Sequence, residues 1–188
     1  MKIGKVIIGV VLWLVVIGLA YMLYGIIQDP VKFEAEYNKR HDATTTRMYD
    51  IKTAQGFYLK SKKKYAGNFD ELINSLKNDM ITEVIINGNP DDTSVVATYD
   101  TLKYYIRDEI NLQGTNNLDS LRYVPFSGGE TFDLESGMLK MQRVEVPVYQ
   151  IDAPKSKYLK GLKEEYVERK KDLSLGSLTQ ATEKASWE

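Results

Sequence analysis

The chain has 188 residues, with 25 basic and 26 acidic side chains, a formal net charge of −1, one histidine and no cysteine. Near-neutrality argues against a nucleic-acid binder, which carries a clear basic surplus. The missing cysteines exclude disulfides, thiol catalysis and thiolate metal sites. The length suits one membrane segment and one domain rather than two domains.

A short N-terminus carrying Lys2 and Lys5 precedes Val6 to Ile27, VIIGVVLWLVVIGLAYMLYGII, 22 residues without a charge. As a helix rising about 1.5 Å per residue it spans roughly 33 Å, matching a hydrocarbon core of about 30 Å. Tyr21 and Tyr24 lie near its far end, where aromatic rings favour the lipid–water interface, and Asp29-Pro30 closes the run. A cleaved signal peptide shares the basic start, and Gly18-Leu19-Ala20 resembles a small-residue cleavage site. The apolar run continues past Ala20, which favours a retained anchor in the lipid bilayer. Lys2 and Lys5 against a mixed-charge segment after the helix place the N-terminus in the cytoplasm and the remainder in the periplasm. Gly18 and Gly25 share a helix face and offer a site for self-association through the span. Ordinary glycine usage in membrane helices is the simpler account.

From residue 28 to 63 the pattern predicts a helical stalk with inward positions Phe33, Tyr37, Thr44, Met48, Ile51, Gln55 and Tyr58, stepping by three and four apart from one double step. Its first half, EAEYNKRHDATTTR, is almost wholly polar and reads as solvated; its second half has an apolar stripe fit to pack on a sheet. Ser61 to Lys64 brings cations to the helix C-terminus, where they complement the dipole. Asn68-Phe-Asp-Glu71 is an N-cap with an acid three residues on, opening a short helix with Phe69, Leu72, Ile73 and Leu76 on one face.

The remainder is β-rich. Ile81–Ile86 reads as a strand, Asn87 to Asp92 as a turn and Ser94–Tyr99 as the returning strand of a hairpin. Thr101–Ile110 tilts toward strand on its Tyr and Ile content. Leu121–Pro125, Glu130–Leu134 and Val144–Ile151 are three more, broken by Ser127-Gly-Gly129 and Ser136-Gly137. Pro147 marks the last of these as an edge or a bulge. Lys157–Lys171 is expected to form one short charged helix, and Leu173–Leu178 a last strand. The fold class is therefore α+β. The long helix and a short second helix pack on an antiparallel sheet of about five strands, with residues 1–5 cytoplasmic, 6–27 spanning, 28–63 the stalk and 64–188 a periplasmic domain on its end.

Catalytic constellations are scarce. His41 lies in the polar stalk and reads as a solvated helical histidine. With no second His and no Cys, zinc sites of ordinary composition are excluded. Asp91-Asp92 lacks the spacing of a calcium loop, and Ser127-Gly128-Gly129 lacks the lysine and helix of a phosphate loop. No catalytic, cofactor-binding or metal residue is assigned.

The layout of membrane helix, amphipathic continuation and β-rich domain resembles type IV pilins and type II secretion pseudopilins. The resemblance rests on Tyr49-Asp-Ile-Lys-Thr-Ala-Gln55 and Tyr65-Ala-Gly-Asn-Phe-Asp-Glu-Leu72. No Gly-Phe-Thr-Leu-like junction with a following glutamate precedes the apolar run, so the prepilin processing pattern is missing. Over most of its length the chain is similar to an uncharacterised family of single-pass inner-membrane proteins of Bacteroidota. The matching stretches are Tyr24-Gly25, Asp29–Phe33, Asp50–Gln55, Gly67–Leu72, Asp119–Phe126, Gly176–Ala181 and Trp187-Glu188. That resemblance implies location and architecture and carries no activity. The resulting expectation is a non-enzymatic subunit of an envelope complex, docking to other envelope membrane proteins. A pilin-like subunit is the first alternative, and a membrane-tethered enzyme or ligand binder the second.

Overall fold

A computed structural model of the chain describes residues 2–87 and 98–188. One helix, α1 (Lys2–Lys62), runs for 61 residues through the apolar run and the stalk without interruption. Pro30 lies inside it and leaves the Ile26 carbonyl without a helical donor. The expected inward positions hold: Phe33, Thr44, Met48, Ile51, Gln55 and Tyr58 are buried, and Tyr37 is half-buried against the core. The helix stops at Lys63, which takes a positive φ of 61° while its N–H donates to the Leu59 carbonyl.

α2 (Phe69–Asn78) begins at Asn68, whose side chain accepts from the Glu71 N–H, and buries the predicted face of Phe69, Leu72, Ile73 and Leu76. Gln55 joins the two helices. Its amide donates to the Ala66 carbonyl and accepts from the Ala66 N–H, both at 2.9 Å, within the corner that turns α1 into α2.

The strands form two antiparallel sheets, one of two strands and one of three, rather than a single sheet of about five. β1 (Met80–Asn87) pairs with β2 (Thr98–Tyr105) as a separate ribbon. The Asn87–Asp92 turn and the 94–97 part of the returning strand fall largely outside the described residues. β2 ends at Tyr105 because Ile106, fully buried, starts the single-turn helix α3 (Ile106–Glu109) and donates its N–H to the Asp79 carbonyl beside α2. Thr101–Ile110 is thus half strand and half helix. Leu121–Pro125 is not a strand. Asn117 caps a 3-10 turn over Leu118–Arg122, and only one bridge, Tyr123 with Thr131, follows.

β3 (Asp133–Met141) takes Ser136-Gly137 into its interior instead of breaking there, and turns through Gln142 at positive φ into β4 (Val144–Ala153). β5 (Leu173–Gly176) pairs only with Gln150–Ala153, so β4 is an open edge from Val144 to Tyr149. β5 bonds outward through the Gly176 N–H and the Ser174 carbonyl, so its alternate residues face β4. The backbone of Pro147, like that of Ile151, therefore points away from β3. Its absent N–H costs no ladder bond, as expected for an edge position. Gly176, at φ 82°, has no room for a side chain: a Cβ would lie 2.4 Å from the Tyr149 carbonyl oxygen. Lys157–Lys171 is two single-turn helices, α4 (Lys155–Tyr158) and α5 (Glu164–Val167), separated by Gly161 at φ 81°.

One apolar core collects the inner face of α1 from Met48 to Tyr58, α2, Ile106, Leu121, Phe132, the inward residues Tyr149, Ile151 and Ala153 of β4, and Leu173 and Leu175 of β5.

Candidate interaction surfaces

Between Ile7 and Ile27 every large apolar side chain of α1 is exposed, Trp13 at 69% and Tyr21 at 81%. None of the apolar window is buried inside the protein, and its mean hydropathy is 2.5. This helix is long and apolar enough to cross a membrane, and an apolar surface of that extent is untenable in water. At its far end Gln28 donates to the Tyr24 hydroxyl at 2.8 Å, a polar pair suited to an interfacial position.

The stretch expected to be a solvated stalk is clad along one side. Lys163 pairs with Asp29 and Lys170 with Glu34, the latter at 2.9 Å. The Lys163 hydrogen bond holds the Asp29 carboxyl below its usual range, and the same bond raises the lysine. The Tyr166 ring lies 5.1 Å from Phe33, and the Lys170 ammonium sits 3.7 Å from the centre of the Tyr37 ring. Arg40 donates to the Lys160 carbonyl at 2.8 Å. His41 is only partly solvated, because its ring lies 5.5 Å from Tyr37 and 6.5 Å, edge-on, from Trp187. Farther along, Asp50 is buried and accepts the Gln113 and Gly114 N–H groups at 2.8 and 2.7 Å. Arg47 donates to the Ser120 and Gly114 carbonyls. Both residues pin the 111–120 loop to α1. Of the basic cluster at the helix end, Lys62 pairs with Asp79 at 2.9 Å, and neighbouring Lys60 reaches Glu83 at 3.1 Å.

That last contact places the β1–β2 ribbon at the end of α1 opposite the apolar run. Lys60 follows Gln28 by 32 residues, roughly 50 Å of helix. In the ribbon's register Met80 faces Tyr105 and Val84 faces Thr101 on one side, while Glu83 faces Leu102 and Ile85 faces Asp100 on the other. Met80, Val84 and Tyr105 are exposed on the first side, and Ile85 and Leu102 on the second, with Val84 at 58% and Leu102 at 51%. The ribbon therefore shows apolar side chains on both faces, and each strand has one unpaired edge among the described residues. The exposure escaped the sequence reading. Its signal was the unbroken Val84-Ile85-Ile86, since a strand with one wet face alternates. A second exposed apolar group, Met138, Met141 and Val144, lies at the turn end of β3–β4.

Among the described residues no group of three or more His, Asp or Glu is arranged to hold a metal ion. Ser127 closes its own turn, donating to the Val124 carbonyl and accepting the Glu130 N–H. Asp91 and Asp92 lie outside the described residues. A cleft of about 170 Å³ lies between the open edge of β4 and residues 181–183. In it the Tyr65 hydroxyl donates to Glu183 at 2.9 Å, and the rings of Tyr65 and Tyr149 meet at 4.5 Å. Burial, then Glu183, pushes the Tyr65 phenol up to about 12, and burial raises Tyr149 further.

No family model, curated protein or solved structure matches the chain.

Proposed function

We propose that the protein is a non-enzymatic, membrane-anchored interaction subunit of a cell-envelope complex. Residues 6–27 cross the inner membrane with the N-terminus in the cytoplasm, and the β1–β2 ribbon docks on a partner protein in the periplasm. The observation that carries this reading is the ribbon itself: apolar on both faces, open at both edges and held roughly 50 Å from the apolar run by one continuous helix. A two-stranded ribbon is marginal alone in water and gains most from added strands or a covering layer. Lys2 and Lys5 before the span set the orientation through the positive-inside bias.

The test is a mild-detergent pulldown of tagged full-length protein from native membranes, set beside the double variant Val84→Lys/Leu102→Lys. Both positions are exposed, so each substitution shifts folding stability by about 0.5 kcal/mol at most and the pair by about 1 kcal/mol. The partner recovered with the parent is expected to disappear from the variant. Recovery of the same proteins with both, or of none with the parent, rules the reading out.

A further inference from the structure

We infer that α5 and its flanking residues, 163–169, rest against the phospholipid headgroup layer of the membrane that α1 crosses, entering it at Lys163, and that zwitterionic headgroups are what they meet. The inference rests on the membrane-anchored reading above and adds a second membrane contact to it.

Height along α1 carries the argument. Asp29 is two residues past Ile27, about 3 Å along the axis, and Phe33 and Glu34 are about 9 and 10 Å past it. Headgroups occupy about 5–8 Å beyond the hydrocarbon on each side of a bilayer. Lys163 is tied to Asp29 within that layer, while Tyr166 packs on Phe33 and Lys170 is tied to Glu34 just past its outer margin, so the α5 segment runs outward from the headgroups beside the helix. Nothing interrupts α1 between the apolar run and these contacts, so the segment's height follows that of the span.

Charge selects the kind of lipid. The charged groups of the segment are Lys163, Glu164, Glu165, Glu168 and Arg169, all exposed, and those just past the apolar run on α1 are Asp29 and Lys32. Three cations and four anions make a surface of mixed sign with a net charge of only −1. A polybasic patch seeks anionic lipid. This set of both signs, with no basic surplus, instead complements headgroups that carry both a phosphate and an ammonium. Tyr166 adds a half-buried ring of the amphipathic kind that settles at the interface.

The chain has no cysteine, so single nitroxide labels go in without a background. Full-length Glu165→Cys, Asn74→Cys and Leu14→Cys, each labelled, are reconstituted in phosphatidylcholine nanodiscs doped with a nickel-chelating lipid. Relaxation by the headgroup nickel is then compared, together with relaxation by dissolved oxygen. The expected result is nickel relaxation at 165 several-fold above that at 74, with Leu14 relaxed by oxygen as a buried label is. A Leu14 label embedded in lipid, with 165 no closer to nickel than 74, overturns the headgroup contact and leaves the anchor standing. A Leu14 label in water overturns both. An enhancement at 165 that appears only when anionic lipid is added overturns the zwitterionic assignment.

Discussion

Gln55 is the buried side chain on which the α1–α2 corner depends. Both ends of its amide are satisfied by the backbone of one residue, Ala66, in a site without solvent. Gln55→Leu fills similar volume but strands a buried N–H and a buried carbonyl. The expected loss is about 2–4 kcal/mol, read as a lower denaturation midpoint by near-ultraviolet circular dichroism of the detergent-solubilised chain. An unchanged midpoint would mean that water reaches Ala66. Tyr65 gives the pH dependence. Its phenol moves from 10.0 to about 12 on folding, so the neutral form is favoured in the folded state. The stability it contributes is complete below pH 10.0 and is lost as the pH rises through about 12. Tyr149 and Tyr158, both raised by burial, act at the same alkaline end. Tyr65→Phe should remove one delayed phenol from the ultraviolet titration and soften the alkaline loss of stability without abolishing it. A variant with an unaltered titration curve would show that Tyr65 ionises freely.

At the scale of elements, local pattern announces what local chemistry decides. The three-and-four spacing from Phe33 to Tyr58 defines the inner face of α1, and Asn68 with Glu71 marks the start of α2 before any tertiary contact is known. Pro147 likewise signals an edge, because only there is a missing N–H harmless. Long-range partners decided the features that were not legible. The polar side chains of residues 29–40 look solvated, yet Asp29, Glu34 and Arg40 meet residues 160–170, more than a hundred positions away. The apolar composition of β1 was visible. Its exposure was not, because exposure depends on whether another layer arrives to cover it. Leu121–Pro125 illustrates a third case: branched and aromatic residues suggested a strand, but Asn117 caps a 3-10 turn through Arg122 and Ser127 closes the turn that follows.

At the scale of the molecule, the domain spreads along α1 instead of sitting on its tip. The main apolar core surrounds residues 48–58, while Phe33 stands outside that core with Tyr166 and Lys170 as its neighbours. The two zones should open separately. Phe33→Ala is expected to speed amide hydrogen exchange across residues 160–171 by about tenfold or more, leaving exchange in α2 and β4 near its original rate; uniform acceleration would show a single cooperative unit. The unbroken course of α1 has a mechanical consequence. Membrane helices tilt by about 20° on average, by amounts that follow bilayer thickness. In a rigid rod, a tilt change of about 10° at the bilayer swings a point roughly 50 Å away through about 9 Å. With residues 6–27 in a bilayer, as proposed, α1 becomes a lever: thinning or thickening the bilayer moves the ribbon sideways, and a pull on the ribbon returns to the lipid as torque.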